Sequence, residues 1–206
     1  LSVGSFAQDN EFVEEVVSIG TRGKPRSVSS SPVPVDVLSA EDISKTGTDD
    51  LLMQLQGSIP SLNVHLQPIS DAASMIRPAN LRGLSADSTL ITTNGKRRHH
   101  ASVIAFQGGG VNDGSQGADI SVIPAIALKR VEVLRDGASA QYGSDAIAGV
   151  INFVLDDISE GGSLSYKMGE YTEGDGATST IAGKIGMPLG QDGFVTTSFQ
   201  IRQADD

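Results

Sequence analysis

Past Ser159 the chain falls into three stretches in which apolar and polar residues alternate, and this period of two limits the fold more than any other feature of its 206 residues. The stretches are Ser163-Leu164-Ser165-Tyr166-Lys167-Met168-Gly169, Ser179-Thr180-Ile181-Ala182-Gly183-Lys184-Ile185-Gly186-Met187 and Phe194-Val195-Thr196-Thr197-Ser198-Phe199-Gln200-Ile201. Turn-rich pieces, Thr172–Gly176 and Leu189–Gly193, separate them as hairpin connections do. Each strand carries one apolar face, and three such strands cannot close on themselves. A membrane barrel needs at least about eight, because a free strand edge in lipid leaves backbone groups unpaired. Residues 156–206 therefore read as the start of a longer β-barrel, truncated at Asp206. The plainer alternative is a soluble β-meander stacked on the preceding domain.

Composition narrows the remaining classes. The balance of 25 acidic against 15 basic side chains gives a net charge of −10, the wrong sign for a duplex-binding or polybasic membrane-surface protein, so no nucleic acid partner is expected. The absence of Cys excludes disulfides and Cys-ligated metal sites. Aromatics at 4% beside 24 Gly argue for many tight turns and against a large aromatic core. No apolar run reaches the roughly 18 residues of a transmembrane helix, which leaves strands as the route into a membrane. At the other end, Leu1-Ser2-Val3-Gly4-Ser5-Phe6-Ala7-Gln8-Asp9 reads as the tail of an export signal, with residues 1–7 a remnant cleaved after Ala7, or as a frayed apolar terminus.

Between the ends, residues 33–155 read as one α+β domain. Val33-Pro34-Val35-Asp36-Val37-Leu38 is a strand that Pro34 confines to a sheet edge or a strand start, since it has no N–H to give. Ser39-Ala40-Glu41-Asp42 opens a helix with a Ser cap and early acids, continued by Ile43, Leu51, Leu52 and Leu55. Gly47 divides it, so two short helices are expected, the second from about Thr48 to Gly57 with Pro60 beyond. Leu62–Leu66 and Thr89–Thr93 read as short strands, the latter closed by an Asn94-Gly95 hairpin turn. Lys96-Arg97-Arg98-His99-His100 then begins a long loop whose polar, Gly-rich part runs from Gln107 to Gly117. Ile123–Leu128 reads as a short helix, Arg130–Leu134 as a strand, Ala138–Tyr142 as one helical turn and Gly149–Leu155 as a buried strand.

No catalytic constellation emerges. Gly108-Gly109-Gly110 lacks the Lys and Ser/Thr of a phosphate loop. His99 and His100 are adjacent rather than four apart on a helix, without an acidic third ligand at metal-site spacing. Ser139 departs from the Gly-x-Ser-x-Gly elbow, and the three histidines, His65, His99 and His100, all precede it. An enzyme is not expected, nor is a cofactor or a bound metal.

One long segment carries a resemblance. Val131-Glu132-Val133-Leu134-Arg135-Asp136-Gly137-Ala138-Ser139-Ala140-Gln141-Tyr142-Gly143-Ser144-Asp145-Ala146-Ile147-Ala148-Gly149-Val150-Ile151-Asn152 closely resembles the end of the plug domain of TonB-dependent outer-membrane receptors. Three shorter matches stand in the family's order: Val33-Pro34-Val35-Asp36-Val37-Leu38-Ser39-Ala40-Glu41-Asp42-Ile43, Leu81-Arg82-Gly83-Leu84, and Leu90-Ile91-Thr92-Thr93-Asn94-Gly95-Lys96-Arg97. The resemblance as a whole covers the chain from about Glu14 to Leu155. Proteins of this family have a globular plug inside a barrel of about 22 strands and import scarce nutrients, most often ferric siderophores. The fold implied is an α+β plug domain, a small mixed sheet with short helices, followed by the first antiparallel strands of a transmembrane β-barrel.

The resemblance also implies sites and partners. Residues 8–32 would hold the TonB box and its linker, with Val13, Glu14, Glu15, Val16, Val17, Ser18 and Ile19 meeting a TonB-type energy-transducing protein. This β-branched, Pro-free strip, followed by the Ser/Gly/Pro-rich linker Thr21–Pro32, can add as a strand to a partner's sheet, or it can be the plug's own first strand. Arg82, Glu132 and Arg135 would form plug–barrel ion pairs, Glu132 alternatively bridging to Arg130. At the plug apex, Arg97, Arg98, His99, His100 and Gln107 offer donors to an anionic ligand such as a ferric chelate, or else form a solvated loop. The expected location is the outer membrane of a Gram-negative bacterium, the plug inside the barrel and the N-terminus periplasmic. Cobalamin, saccharides or peptides are alternative cargoes, and a soluble periplasmic ligand-binding module is the rival of another class.

Overall fold

The structure, a computed structural model, describes residues 16–17, 19, 26–27, 34–45, 48, 50–64, 75–106, 110–170 and 176–204. Residues 1–7, Val13, Glu14, Glu15, Ser18, Gln107 and most of the Thr172–Gly176 turn lie outside the described residues.

Pro34 precedes β3 (Val35–Ser39), which is the edge of a five-stranded mixed sheet, as its missing donor requires. The sheet runs β3, β8 (Leu128–Leu134), β9 (Gly149–Leu155), β6 (Thr89–Thr93), β7 (Lys96–Arg97), with β6 parallel to β9 and every other neighbour antiparallel. The Asn94-Gly95 turn joins β6 to β7 with φ of +49° and +73°, the positive pair a tight hairpin needs. A two-stranded pair, β4 (Leu62–Val64) and β5 (Ala79–Leu81), lies beside it. Strand β5 has no periodicity of its own in the sequence; three buried residues define it.

Two helices cover one face. The hydroxyl of Ser39 accepts from the Asp42 amide to cap α1 (Ala40–Ser44). Asp50 caps α2 (Leu51–Ser58), its carboxylate accepting from the amides of Leu52 and Met53 at 3.0 and 3.2 Å. The second helix thus begins three residues later than Thr48, whose hydroxyl instead accepts from the Asp50 amide. Ile43, Leu51, Leu52 and Leu55 pack on Val131, Val133, Ile151 and Phe153, completing the main core. The other face buries Val35, Leu90, Leu134 and Val150 with Ala138 and Ala146 of the turn region, and takes in Val17 and Ile19 from the N-terminal segment. Val17 belongs to β1 (Val16–Val17), which pairs antiparallel with β2 (Arg26–Ser27). Between Ala138 and Gly149, α3 (Ser139–Tyr142) is the single expected turn, while the segment expected as a helix from Ile123 shortens to a 3-10 turn at Ala125–Ala127.

Beyond Leu155 comes a second sheet of β10 (Gly161–Gly169), β11 (Thr178–Leu189) and β12 (Gly193–Ala204), antiparallel and in chain order. Register sorts its side chains onto two faces. Leu164, Gly183 and Phe199 are paired across the three strands, and so are Tyr166, Ile181 and Ile201. Gly183 leaves a notch that the Phe199 ring and Leu164 fill, since a Cβ there would stand 2.6 Å from the ring. The opposite face presents Ser165, Ala182 and Gln200 in one row and Lys167, Thr180 and Arg202 in the next. This polar face is the one turned toward the domain, where it meets the Ala125–Ala127 turn.

Candidate functional site

The long loop leaves the sheet at β7, and its cations are held close to where they start. The Arg97 guanidinium is bound by Asp145 and by the Tyr142 carbonyl. Arg98 donates from Nε to the Asp119 carbonyl at 2.9 Å. His99 and His100 are exposed beyond them. Residues 101–106 are hydrogen-bonded to residues 114–117, although the sequence from Gln107 to Gly117 is polar and aperiodic. Ala101 N donates to Gly117 O at 3.0 Å, Ala105 N to Ser115 O and Gly114 N to Ala105 O at 2.8 Å, so the two limbs of the loop are laced together. The loop displays apolar side chains, Ile104, Phe106 and Val111, each at least 44% exposed. These three carry no charge, and the charged donors Arg97 and Arg98 mark the loop in the sequence instead.

The arginines expected to reach the barrel wall have acids of their own domain beside them. Arg135 pairs with Asp36 across the β8–β3 edge, Nη2 to Oδ1 at 2.9 Å, and Arg82 stands 3.7 Å from Asp136 at a turn where Arg82 itself has φ of +58°. Glu132 is fully buried in a polar row across the second face of the sheet. It accepts from Arg130 Nε at 2.8 Å and from Asn152 Nδ2 at 3.0 Å, and Asn152 Oδ1 in turn accepts from the Thr92 hydroxyl and the Gly95 amide. A buried carboxylate requires such donors, because an uncompensated charge there costs several kcal/mol on the order of a broken buried pair. Of the strip expected to meet an energy-transducing partner, Val16, Val17 and Ile19 are described; Val17 and Ile19 are 1% and 3% exposed.

Three cavities of about 300, 290 and 340 Å³ separate the domain from the polar face of the second sheet, and they adjoin one another through Lys184, Gln200 and the Val122–Pro124 segment. The first is bordered by Glu41, Lys167 and Lys184, the second by Arg98, Asp156 and Lys184, the third by Asp50, Arg77 and Arg202. Each therefore holds one more cation than carboxylate, in a chain whose net charge is −10. Lys184 is paired with Asp156 and Arg77 with Asp50. Burial alone would raise the Asp50 carboxyl, but the Arg77 guanidinium and the two helix amides outweigh it and hold it below the usual carboxylate range. Among the described residues no group of three metal-ligating side chains occurs, and no helix is long and apolar enough to cross a membrane.

A plug-like domain joined to a sheet with its polar face inward fits one known architecture, and the family model for the TonB-dependent receptor plug domain matches residues 27–150. The chain belongs to this family. Its relatives are receptors rather than enzymes. An iron-regulated outer-membrane virulence protein of Vibrio cholerae is 29% identical over 154 residues, 74% of this chain and 22% of that protein. A ferric enterobactin receptor of Pseudomonas aeruginosa is 32% identical over 120 residues, 58% of this chain and 16% of that protein. The crystal structure of a point mutant of the Pseudomonas aeruginosa ferric enterobactin receptor, in complex with enterobactin, superposes with a TM-score of 0.65 at 26% identity, over 84% of this chain and 25% of that one. The chain thus spans a quarter or less of the length of these relatives. The fold is that of a plug with short helices on a mixed sheet, followed by the first antiparallel strands of a transmembrane barrel.

Proposed function

We propose that this chain forms the plug and first wall strands of a longer outer-membrane receptor that imports a scarce nutrient, with the plug gating the barrel. The observation that carries the reading is the orientation of β10–β12. Their polar face and all their charged side chains, Lys167, Lys184 and Arg202, turn toward the plug, while Leu164, Tyr166, Met168, Phe199 and Ile201 turn away and are 47–75% exposed. Lipid accommodates such a face. A soluble periplasmic module would hold it in water, where contiguous apolar surface of this kind is rare.

A ferric siderophore is the cargo this reading puts first, ahead of cobalamin, a saccharide or a peptide, because relatives bear the name of ferric enterobactin receptors. The plug loop that follows Lys96 would meet it, the exposed His99 and His100 contributing polar contacts beside the apolar Ile104, Phe106 and Val111. Energy would come from a TonB-type protein pairing with residues 13–19 on the periplasmic side. Because Val17 and Ile19 are packed against Val35, Leu134 and Val150, that strip becomes available when those contacts and the β1–β2 pairing open.

Uptake of labelled ferric enterobactin by cells carrying the full-length gene, with and without an uncoupler of the inner membrane, tests the reading. Uncoupler-sensitive uptake is expected. Val16→Pro should abolish it while leaving binding intact, since Pro removes a backbone donor from the strip; unchanged uptake would take the partner site out of this segment. A correctly placed receptor that takes up no ferric chelate would move the cargo to the alternatives.

A further inference from the structure

Beneath the loop, Asn80 of β5 and Asn112 of the loop's 3-10 turn (Gly110–Asn112) are both fully buried. Each amide donates to the other's oxygen, Asn80 Nδ2 to Asn112 Oδ1 at 2.6 Å and Asn112 Nδ2 to Asn80 Oδ1 at 2.8 Å. Asn80 Nδ2 also donates to the Leu84 carbonyl at 2.8 Å, and Asn112 Oδ1 also accepts from the Ala86 amide at 3.0 Å. An amide side chain offers two donors and one oxygen with two lone pairs, so little of either group's capacity is left unmet. A reciprocal pair of this kind, shielded from water, is strong and leaves a costly unpaired group when either member is removed.

Neighbouring contacts repeat the attachment. The Gln116 backbone amide donates to Asp87 Oδ1 at 2.9 Å, while within the limb the Ser115 hydroxyl donates to the Asn112 carbonyl at 2.7 Å. Gly117 lies so close to the Pro78–Ala86 segment that a Cβ on it would stand 2.6 Å from the Cβ atoms of both Pro78 and Ala86. The returning limb of the loop, residues 112–117, is thus sewn onto the segment that carries Arg82. The outgoing limb is in turn bonded to the returning one through Ala101, Ala105 and Gln116. Loop placement is consequently passed on through this returning limb, which Asn112 anchors at its buried start.

We propose that Asn80 and Asn112 are positioning residues, a buried amide clasp that holds residues 101–106 and 110–117 of the loop against the segment from Pro78 to Asp87, so that a ligand meets a preformed surface. The role rests on the reading above that this loop receives the ligand. Without the clasp, the ligand would have to order the loop as it binds, and affinity would fall by that cost while transport of bound ligand would continue.

The test uses the full-length receptor in its membrane, as wild type, Asn80→Ala, Asn112→Ala and the double variant. Hydrogen exchange without ligand should show the Ala101, Ala105 and Gly114 amides exchanging at least about tenfold faster in every variant, with β6, β8 and β9 unchanged. Either single change should have nearly the effect of both, since each opens the same clasp. With labelled ferric enterobactin, the half-saturating concentration should rise about fivefold or more at unchanged maximal rate and receptor abundance. Loop exchange that does not respond, or additive single effects, overturns the clasp; a freed loop with unchanged half-saturation, or a loss confined to maximal rate, overturns the positioning role. Should the alanine variants fail to assemble, Asn80→Asp keeps the shape and the acceptor but not the donor to Asn112 Oδ1, and the same criteria apply. A wild type that takes up no chelate defeats the functional reading alone, and exchange still decides the clasp.

Discussion

The five-stranded sheet of the plug and the three-stranded sheet that follows it draw on similar apolar residues, yet they place them on opposite sides of the boundary with the surroundings. In the plug, Phe153, Ile151, Leu134 and Val150 are at most 2% exposed and both faces of the sheet are covered, while charges sit at edges or in the donor-rich row around Glu132. In the wall strands the apolar face is the exposed one, and the charged side chains look inward across the cavities. Alternation alone does not tell these cases apart. What distinguishes them is the face that carries the charges, and hence which solvent each face is built to meet.

The sharpest way to break the comparison is to delete the same ring from each sheet. Phe153→Ala leaves a void in a closed core and should destabilise the plug by about 3–5 kcal/mol, read by denaturant unfolding in detergent. Phe199→Ala removes a ring that is already 47% exposed and whose space lipid can fill, so its cost should be a small fraction of that. Comparable losses at the two positions would mean that the wall face is packed against protein. Adjacent residues of β12 give the next test. Phe199→Arg puts a cation on the outward face and should cost about 2–4 kcal/mol near mid-strand, whereas Ser198→Arg faces a cavity and should cost under about 1 kcal/mol. Assembly into the outer membrane, followed by heat-modifiable mobility on gels, reads the difference; equal tolerance would place both faces in water.

Much of this contrast is legible in the sequence. Pro34 set an edge strand, Asn94-Gly95 a hairpin, and the alternation after Ser159 the wall, because each rests on a backbone constraint or a period that acts locally. The site was less legible. Arg97 and Arg98 read as donors to an anionic ligand or as part of a solvated loop, and their contacts with Asp145 and the Asp119 carbonyl, 48 and 21 residues away, are not marked in the sequence. Likewise, Asp36 and Asp136 stand beside Arg135 and Arg82 through a strand pairing and a turn that composition does not announce. Asn80 and Asn112 are ordinary polar residues in sequence, and only a contact across 32 positions makes them a pair. Local rules reach the elements; long-range pairing decides which polar groups are spent on structure.

The smallest expected effect concerns acid. Neither β10, β11 nor β12 contains an Asp or Glu, whereas the plug uses Asp50 both to cap α2 and to pair with Arg77, the two side chains being 17% and 18% exposed. Asp50→Asn retains a capping oxygen but not the charge, leaving Arg77 half-buried without its counter-ion, so a loss of about 1–2 kcal/mol is expected at neutral pH, discounted from a fully buried pair. Since the folded-state pKa of Asp50 lies below the ordinary value near 3.9, the unfolded chain takes up the proton first as pH falls. The wild type's advantage over Asp50→Asn should therefore be complete above about pH 4, shrink as pH drops through the lowered pKa, and vanish once Asp50 is protonated in both states. Unfolding curves of the two proteins between neutral and strongly acid pH would converge at the acid end. Curves that stayed parallel would assign the effect to capping geometry alone, and a matching acid response in the strand amides of β10–β12 would show that the wall leans on the plug's charges rather than on its own pairing and lipid.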